Sequence, residues 1–181
     1  MKRQHTLIVM VEDHPGVLNR VVSLLRRRSF NIDSITVGAS EQPGVSRMTL
    51  VVRGTDPDIE QAGKQLYKLM EVLKVIDLTD QAVVAHEMAI VKVAAKATQR
   101  QEVLLIGQMF NARVLDASPN TIMLEATGTV EQIESMLTML KAFGIRELAR
   151  TGAIAMSKGS GMITSKGLAG AHQYAGSAAA D

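Results

Sequence analysis

A pattern of strands and helices occurs twice along the 181 residues of this chain, and it leaves few folds open. Runs of β-branched or alternating residues predict strands, and apolar residues three or four positions apart predict helices. In the first copy these patterns cover residues 6–11 (strand), 17–28 (helix), 30–37 and 45–52 (strands), 56–70 (helix) and 72–78 (strand). In the second copy they cover residues 86–95 (strand), 99–110 (helix), 112–117 and 121–126 (strands), 130–143 (helix) and 145–156 (strand).

The repeated order is βαββαβ, which predicts an α+β chain of two ferredoxin-like units, each with its helices on one face of an antiparallel sheet. We expect the first domain over residues 1–78 and the second over residues 85–158, joined by a linker at 79–84. Residues 159–181 are rich in Gly, Ala and Ser. Such a composition buries too little apolar surface to fold, so we expect a disordered tail.

The chain carries none of the common catalytic or cofactor motifs. It has no cysteine, and its four histidines are too scattered to pair as zinc ligands. Phosphate-binding glycine loops and the G-x-S-x-G element are absent. The carboxylates Asp33 and Glu125 fall on predicted strands, where surface acids are common. We therefore expect no catalytic residue, no metal site and no cofactor in this chain, and we predict that it is not an enzyme on its own.

The N-terminal apolar run LIVMV is too short to span a membrane, and an acidic pair ends it before it resembles a secretory signal. The absence of cysteine fits a reducing compartment. We therefore expect a cytoplasmic protein with no membrane partner.

The charge of the chain gives little support for a nucleic-acid partner. The formal net charge is +2, aromatic residues are 3% of the chain, and Trp is absent, which removes the side chains that stack on bases. The basic cluster Arg26 to Arg28 lies at the predicted end of a helix, where cations offset the negative end of the helix dipole. We favour that role over phosphate binding and expect no nucleic-acid partner.

A Pro-Gly turn at residues 15–16 separates the first predicted strand from the first helix. Pro before a helix and Gly with an unusual dihedral make a plain turn at such a place. Alternatively, Gly16 lacks a side chain so that a carboxylate or phosphate can approach the N–H groups at the helix N-terminus. Both interpretations stay open on these residues alone.

Asn31 supports the second interpretation. Asn is disfavoured in strands, and its amide offers a donor and an acceptor that suit the carboxylate and ammonium of an amino acid. A turn residue at the exit from the helix is the alternative. In a βαββαβ unit the first turn and the start of the second strand can face each other across a two-fold dimer, so Gly16 and Asn31 are candidates for one pocket.

Eight blocks of the sequence, in order, resemble a single family. They are VEDHPGVLNRV, FNIDSITVG, SRMT, QLYKLMEVLKV, MAIVKV, FNARVLD, EATGT and FGIRELARTGAIAM, and they span nearly all of residues 6–159. In this order and spacing they resemble the regulatory (small) subunit of acetolactate synthase, also called acetohydroxyacid synthase, which opens with an ACT domain. The resemblance implies an N-terminal ACT domain followed by a C-terminal ACT-like domain.

This resemblance implies a non-catalytic subunit that activates a separate catalytic subunit, which joins pyruvate to a second 2-ketoacid in valine, leucine and isoleucine biosynthesis. Thiamine diphosphate, Mg²⁺ and FAD belong to that catalytic subunit. The resemblance also implies allosteric feedback inhibition by valine, or a related branched-chain amino acid, bound between the ACT domains of a homodimer. A free-standing ACT-type amino-acid sensor of another enzyme is the alternative. RNA binding by two split-βαβ modules is a third interpretation, which the lack of aromatic residues on the central strands disfavours.

By the same resemblance, the effector pocket combines residues of one chain with residues of its partner. They are Asp13, His14, Pro15, Gly16, Val17 and Leu18 of one chain, Asn31 and Ile32 of the other, and Gly38, which allows close approach. The chain departs from the family in three places, one of which is its Gly- and Ala-rich tail. Asp13 replaces a common Asn and adds a negative charge near the effector carboxylate, and Ser29 replaces a Gly at the end of the first helix.

Overall fold

The computed structural model describes residues 2–159, which form two compact units. The first unit comprises residues 2–84 with 155–159, and the second comprises residues 85–154. From residue 160 onward, the stretch predicted as a disordered tail lies outside the described residues.

The first unit is a four-stranded antiparallel sheet with two helices. Its elements are β1 (Arg3–Glu12), α1 (Val17–Arg27), β2 (Asn31–Ala39), β3 (Val45–Gly54), α2 (Asp56–Leu66) and β4 (Val72–Asp77). The strand order is β2-β3-β1-β4, so β2 and β4 are the edges of the sheet. Alternate residues of the central strands, such as Leu7 and Leu50, pack with Val21 of α1 and Leu66 of α2 in one core. Both helices therefore lie on the same face of the sheet.

The second unit repeats this arrangement. Its elements are β5 (Val83–Ala94), α3 (Arg100–Met109), β6 (Arg113–Ser118), β7 (Thr121–Gly128), α4 (Val130–Leu140), a 3-10 turn (Lys141–Phe143) and β8 (Ile145–Arg150). The strand order is β6-β7-β5-β8. The last strand, β9 (Ile154–Ser157), starts at the final residue of this unit, and its other residues belong to the first unit. Val91 and Leu124 of the central strands pack with Val103 of α3 and Met136 of α4. The predicted fold of two βαββαβ units with helices on one face of antiparallel sheets is confirmed.

Two predicted elements are wrong in their extent. The helix predicted over 56–70 ends at Leu66, because the N–H groups of Lys68 and Leu69 bond to carbonyls three residues back and turn the chain tightly. The strand predicted over 145–156 is interrupted after Arg150, because Gly152 has a φ of 80°, a left-handed value that breaks an extended chain. Its two parts are β8 and β9.

Candidate functional site

The turn between β1 and α1 holds an open helix N-terminus. Gly16 is the N-cap of α1, with φ 92° and ψ −14°, and no side chain of the described residues caps this helix. No heavy atom beyond its neighbours lies within 4 Å of the place where a Cβ of Gly16 would be. The first N–H groups of a helix have no partner inside the helix. These groups are therefore accessible from the Gly16 side.

Two backbone hydrogen bonds hold this turn against the sheet. The N–H of Asp13 donates to the carbonyl of Gly44 at 2.9 Å, and the N–H of Glu12 donates to the carbonyl of Glu71 at 2.9 Å. The side chains from Asp13 to Gly16 are exposed, Val17 is buried in the core, and Leu18 is 44% exposed. The turn thus has a fixed backbone and an accessible outer side.

The charges around the turn are mostly acidic. His14 Nε2 lies 3.2 Å from Glu12 Oε2, and the side chain of Asp13 has no hydrogen-bond or ion-pair partner among the described residues. Arg20, one helical turn after Gly16, pairs with Glu71, which is 7% exposed. A carboxylate bound at the N-terminus of α1 would therefore meet the positive end of the helix dipole and the unpaired charge of Asp13.

Asn31, the other predicted polar contact, begins the edge strand β2 and is exposed. Its Nδ2 donates to Asp33 Oδ1 at 2.6 Å. Asp33 is the extra residue of a β-bulge, and its Oδ2 also accepts from Arg53 Nε at 2.7 Å and Gln4 Nε2 at 3.1 Å. Asp33 thereby orients the Asn31 amide.

The other two predicted residues of β2 differ in burial. Ile32 is half-buried and packs against the core of the first unit. Gly38 is exposed near the end of β2, and no heavy atom lies within 4 Å of the place where its Cβ would be. Gly38 therefore leaves room for a close approach at this point of the edge strand.

One chain brings only some of the predicted residues together. Gly38 pairs with Arg47, and Arg47 pairs with Met10 near the end of β1, so Gly38 lies at the same end of the sheet as the turn. Asn31 is level with Gln4, through the pairing of both residues with Arg53. Gln4 and Met10 are six positions apart on β1, or roughly 20 Å at the usual rise of a strand. Asn31 and Ile32 therefore lie at the far end of the sheet from the turn.

Sequence reasoning missed three residues near the turn. Glu71 and Arg20 join the start of β4 to the first turns of α1, a pairing between residues 51 positions apart. Arg47, beside Gly38, donates through Nη2 to the carbonyl of Ala155 at 2.7 Å, and burial lowers the pKa of its guanidinium. The partners of all three lie far away along the chain, so a local pattern carries no signal for them.

Within residues 2–159, no group of three or more His, Cys, Asp or Glu side chains is placed to hold a metal ion. No helix of this part of the chain is long and apolar enough to cross a membrane.

The repeated ferredoxin-like unit, with an open glycine turn ahead of its first helix, places the chain among ACT-domain proteins. Residues 7–74 match the family described as the AHAS small subunit-like ACT domain, and residues 86–159 match the small subunit of acetolactate synthase. The chain belongs to the acetolactate synthase small-subunit family, and the resemblance drawn from its sequence blocks is confirmed.

Similar proteins cover most of the chain. The acetolactate synthase small subunit of Mycolicibacterium smegmatis is 47% identical over 155 residues, which are 86% of this chain and 91% of that protein. The acetolactate synthase small subunit of Mycobacterium leprae is 44% identical over 155 residues, covering 86% and 92%. The crystal structure of the small subunit from Thermotoga maritima has a TM-score of 0.81 at 39% identity and covers 87% of this chain and 99% of that one.

Proposed function

We propose that this chain is a non-catalytic regulatory subunit that activates an acetolactate synthase catalytic subunit and makes it sensitive to feedback inhibition by valine or a related branched-chain amino acid. Thiamine diphosphate, Mg²⁺ and FAD would be bound by the catalytic subunit. The observation that supports the regulatory site best is the open N-terminus of α1 at the same end of the sheet as Gly38 on an exposed edge strand.

A homodimer formed along β2 would complete the pocket. In an antiparallel pair, the start of one strand lies beside the end of the other. Two copies paired through β2 would therefore place Asn31 and Ile32 of one chain beside Gly38 and the α1 turn of the other. Within one chain these two groups of residues are roughly 20 Å apart, whereas in the paired dimer they would be neighbours.

The chemistry of such a pocket suits a small apolar amino acid. The N–H groups at the start of α1 would hold its carboxylate, and the amide of Asn31 would orient its polar groups. Leu18 and Ile32 would contact its side chain. A hydrophobic pocket separates ligands that differ by one methylene by only ~1 to 3 kcal/mol, so we expect a preference among valine, leucine and isoleucine and not an exclusive choice.

Inhibition requires that the effector bind two states of the subunit with different affinities, commonly a difference of ~1 to 3 kcal/mol. We propose that valine stabilises one arrangement of the β2-paired dimer and that this arrangement engages the catalytic subunit in a less active form. The effector thus acts through the pairing of two chains, because its pocket has residues from both.

The test is acetolactate formation by the matching catalytic subunit, measured with and without this chain over a range of valine concentrations. We expect activation by the chain, and inhibition of that activation by valine. A lost hydrogen bond to a charged group costs ~1.5 to 3 kcal/mol, so Asn31→Ala should raise the half-inhibitory valine concentration at least about tenfold while activation persists. Gln101→Ala, which removes an exposed amide on α3, is the matched control and should behave as the wild type.

The possible outcomes distinguish the role as a regulatory subunit from the proposed effector pocket. Activation without any response to valine would support the subunit role and contradict the proposed effector pocket. The negative charge of Asp13, which would repel the effector carboxylate, would then be the first cause to test. Asp13→Asn should then restore inhibition. Absence of activation would favour a free-standing amino-acid sensor of another enzyme.

A further inference from the structure

The C-terminal end of α1 presents three consecutive positive charges to solvent. Arg26, Arg27 and Arg28 are exposed, and within residues 2–159 none of them has a hydrogen-bonded or ion-paired side chain. Other arginines of the same unit are paired: Arg3 with Asp56 and Asp80, Arg20 with Glu71, and Arg53 with Asp33.

The end of the helix does not need these side chains. The N–H of Arg28 bonds to the carbonyls of Leu24 at 3.3 Å and Leu25 at 3.1 Å. The N–H of Ser29 bonds to the carbonyl of Arg26 at 2.9 Å. Because backbone groups already satisfy these carbonyls, the arginines do not cap the helix. Attraction to the helix dipole contributes only ~0.3 to 1 kcal/mol for each exposed charge, and it leaves the donors of all three side chains available to a partner.

Two of these arginines line a shallow surface cavity of about 270 Å³ together with Leu24 and Gln65. A guanidinium presents a planar set of donors that matches a carboxylate, and Gln65 adds an amide beside it. Leu24 supplies an apolar contact next to these polar groups. The combination suits an acidic side chain carried on a peptide segment that also has an apolar residue.

We propose that the Arg26–Arg28 cluster and this cavity form a docking surface for an acidic segment of the acetolactate synthase catalytic subunit. The inference rests on the proposed function, which supplies the partner. A single-stranded nucleic acid is the less suitable polyanion, because it binds through exposed aromatic rings as well as charge. The aromatic ring next to the cluster, Phe30, packs against the core of the first unit.

The experiment measures the dissociation constant between the full chain and the matching catalytic subunit at several salt concentrations. Interface charges raise association rates and make binding depend on salt. We expect the affinity of the wild type to fall as salt rises. The Arg27→Glu, Arg28→Glu double variant should bind at least about tenfold more weakly at low salt and show a flatter salt dependence. Arg27→Gln, Arg28→Gln should give an intermediate loss.

Arg146→Glu is the control for a change of charge alone, because Arg146 is also exposed and has no ion-pair partner among the described residues. It should bind nearly as the wild type does. Equal affinity and equal salt dependence for the double variant and the wild type would overturn the docking surface and leave the proposed function intact. Binding of a single-stranded RNA probe that depends on Arg27 and Arg28, with unchanged binding to the catalytic subunit, would also overturn it. Failure of the wild type to bind the catalytic subunit at all would overturn the proposed function as well.

Discussion

Two non-glycine residues with left-handed backbone angles occupy corresponding places in the two units. Ser29 follows α1 with φ 58°, and Asn111 follows α3 with φ 54°. Asn tolerates this region because its side chain can bond locally, whereas most other residues are strained by it. Glycine is the usual residue at this place because it has no Cβ. Ser29 is therefore a strained position in the first unit.

We predict that Ser29→Gly stabilises the protein by about 1 kcal/mol. The change removes a left-handed strain of ~1 to 2 kcal/mol, and the greater entropy of glycine in the unfolded state offsets part of that gain. The measurement is the urea midpoint of unfolding. Asn111→Gly is the matched control, and its gain should be smaller because Asn accepts these angles better. A larger gain at Asn111 than at Ser29 would contradict this explanation.

The conformation of a single residue was predictable where its neighbours in the sequence determine it. The unusual dihedral expected for glycine in the Pro-Gly turn is confirmed at Gly16, while its role in ligand approach stays a prediction. The contact of Asn31 with Asp33 was not predictable, because it arises from a bulge in β2 and from Arg53 and Gln4 on two other strands. Asn31 itself stood out in the sequence, but the orientation of its amide depends on strands that are distant along the chain.

Helices α2 and α4 begin with equivalent capping boxes that differ in one chemical respect. Thr55 and Asp58 exchange hydrogen bonds at the start of α2, and Thr129 and Gln132 do so at the start of α4. Hydrogen bonds from the side chain and then the backbone of Thr55 lower the pKa of Asp58 below its ordinary value of 3.8. Gln132 does not titrate in this range.

We predict that the Asp58 cap stabilises the protein only above acidic pH. Because its pKa is lower in the folded state, its ionised form contributes stability above pH 3.8, and this contribution is lost as the pH falls through the folded pKa. The gap in thermal midpoint between the wild type and Asp58→Asn should therefore be widest near pH 7 and shrink on acidification. The gap for Gln132→Ala should stay the same across this range. If the difference in thermal midpoint between the wild type and Asp58→Asn does not change with pH, the ionisation of Asp58 is not the source of its stabilising effect.

Helices and strands were predicted well where the apolar pattern and the length of a segment indicate the same element. The ends of these elements were predicted less well. The apolar run at the start of the chain and the alternation after Asn31 correctly indicated β1 and β2. The predicted end of α2 was wrong because Leu69 continues the helical spacing of apolar residues. Leu69 instead lies in the turn after the helix, and its half-buried side chain packs against the core. Periodicity reports which side chains are buried and does not report how the backbone bonds.

Sheet edges decide how copies of the chain can associate, and the two edges of the first sheet differ. Both β2 and β4 lie at an edge, and an unpaired edge is a template for another strand. At Val75 on β4, the hydroxyl of Tyr67 accepts from the N–H at 3.0 Å and donates to the carbonyl at 3.1 Å. Tyr67 thus occupies two of the outward groups that a partner strand would use. The spatial order of strands comes from long-range pairing, so this difference was not predictable from the sequence.

We predict that Tyr67→Phe enlarges the assemblies that the protein forms, because it frees the N–H and carbonyl of Val75 for a second strand. Pairing of β4 with β2 of another chain is head to tail and need not close, unlike a two-fold pair through β2 alone. Light scattering after size exclusion should show larger species for the Phe variant as concentration rises, while the wild type keeps one size. Met70→Ala, which trims a side chain that is 92% exposed and close in the chain, is the control and should not change the mass. If the Phe variant keeps the wild-type mass at every concentration, Tyr67 does not block pairing at this edge. It then acts only on the stability of the strand, where two lost hydrogen bonds would cost ~1 to 3 kcal/mol.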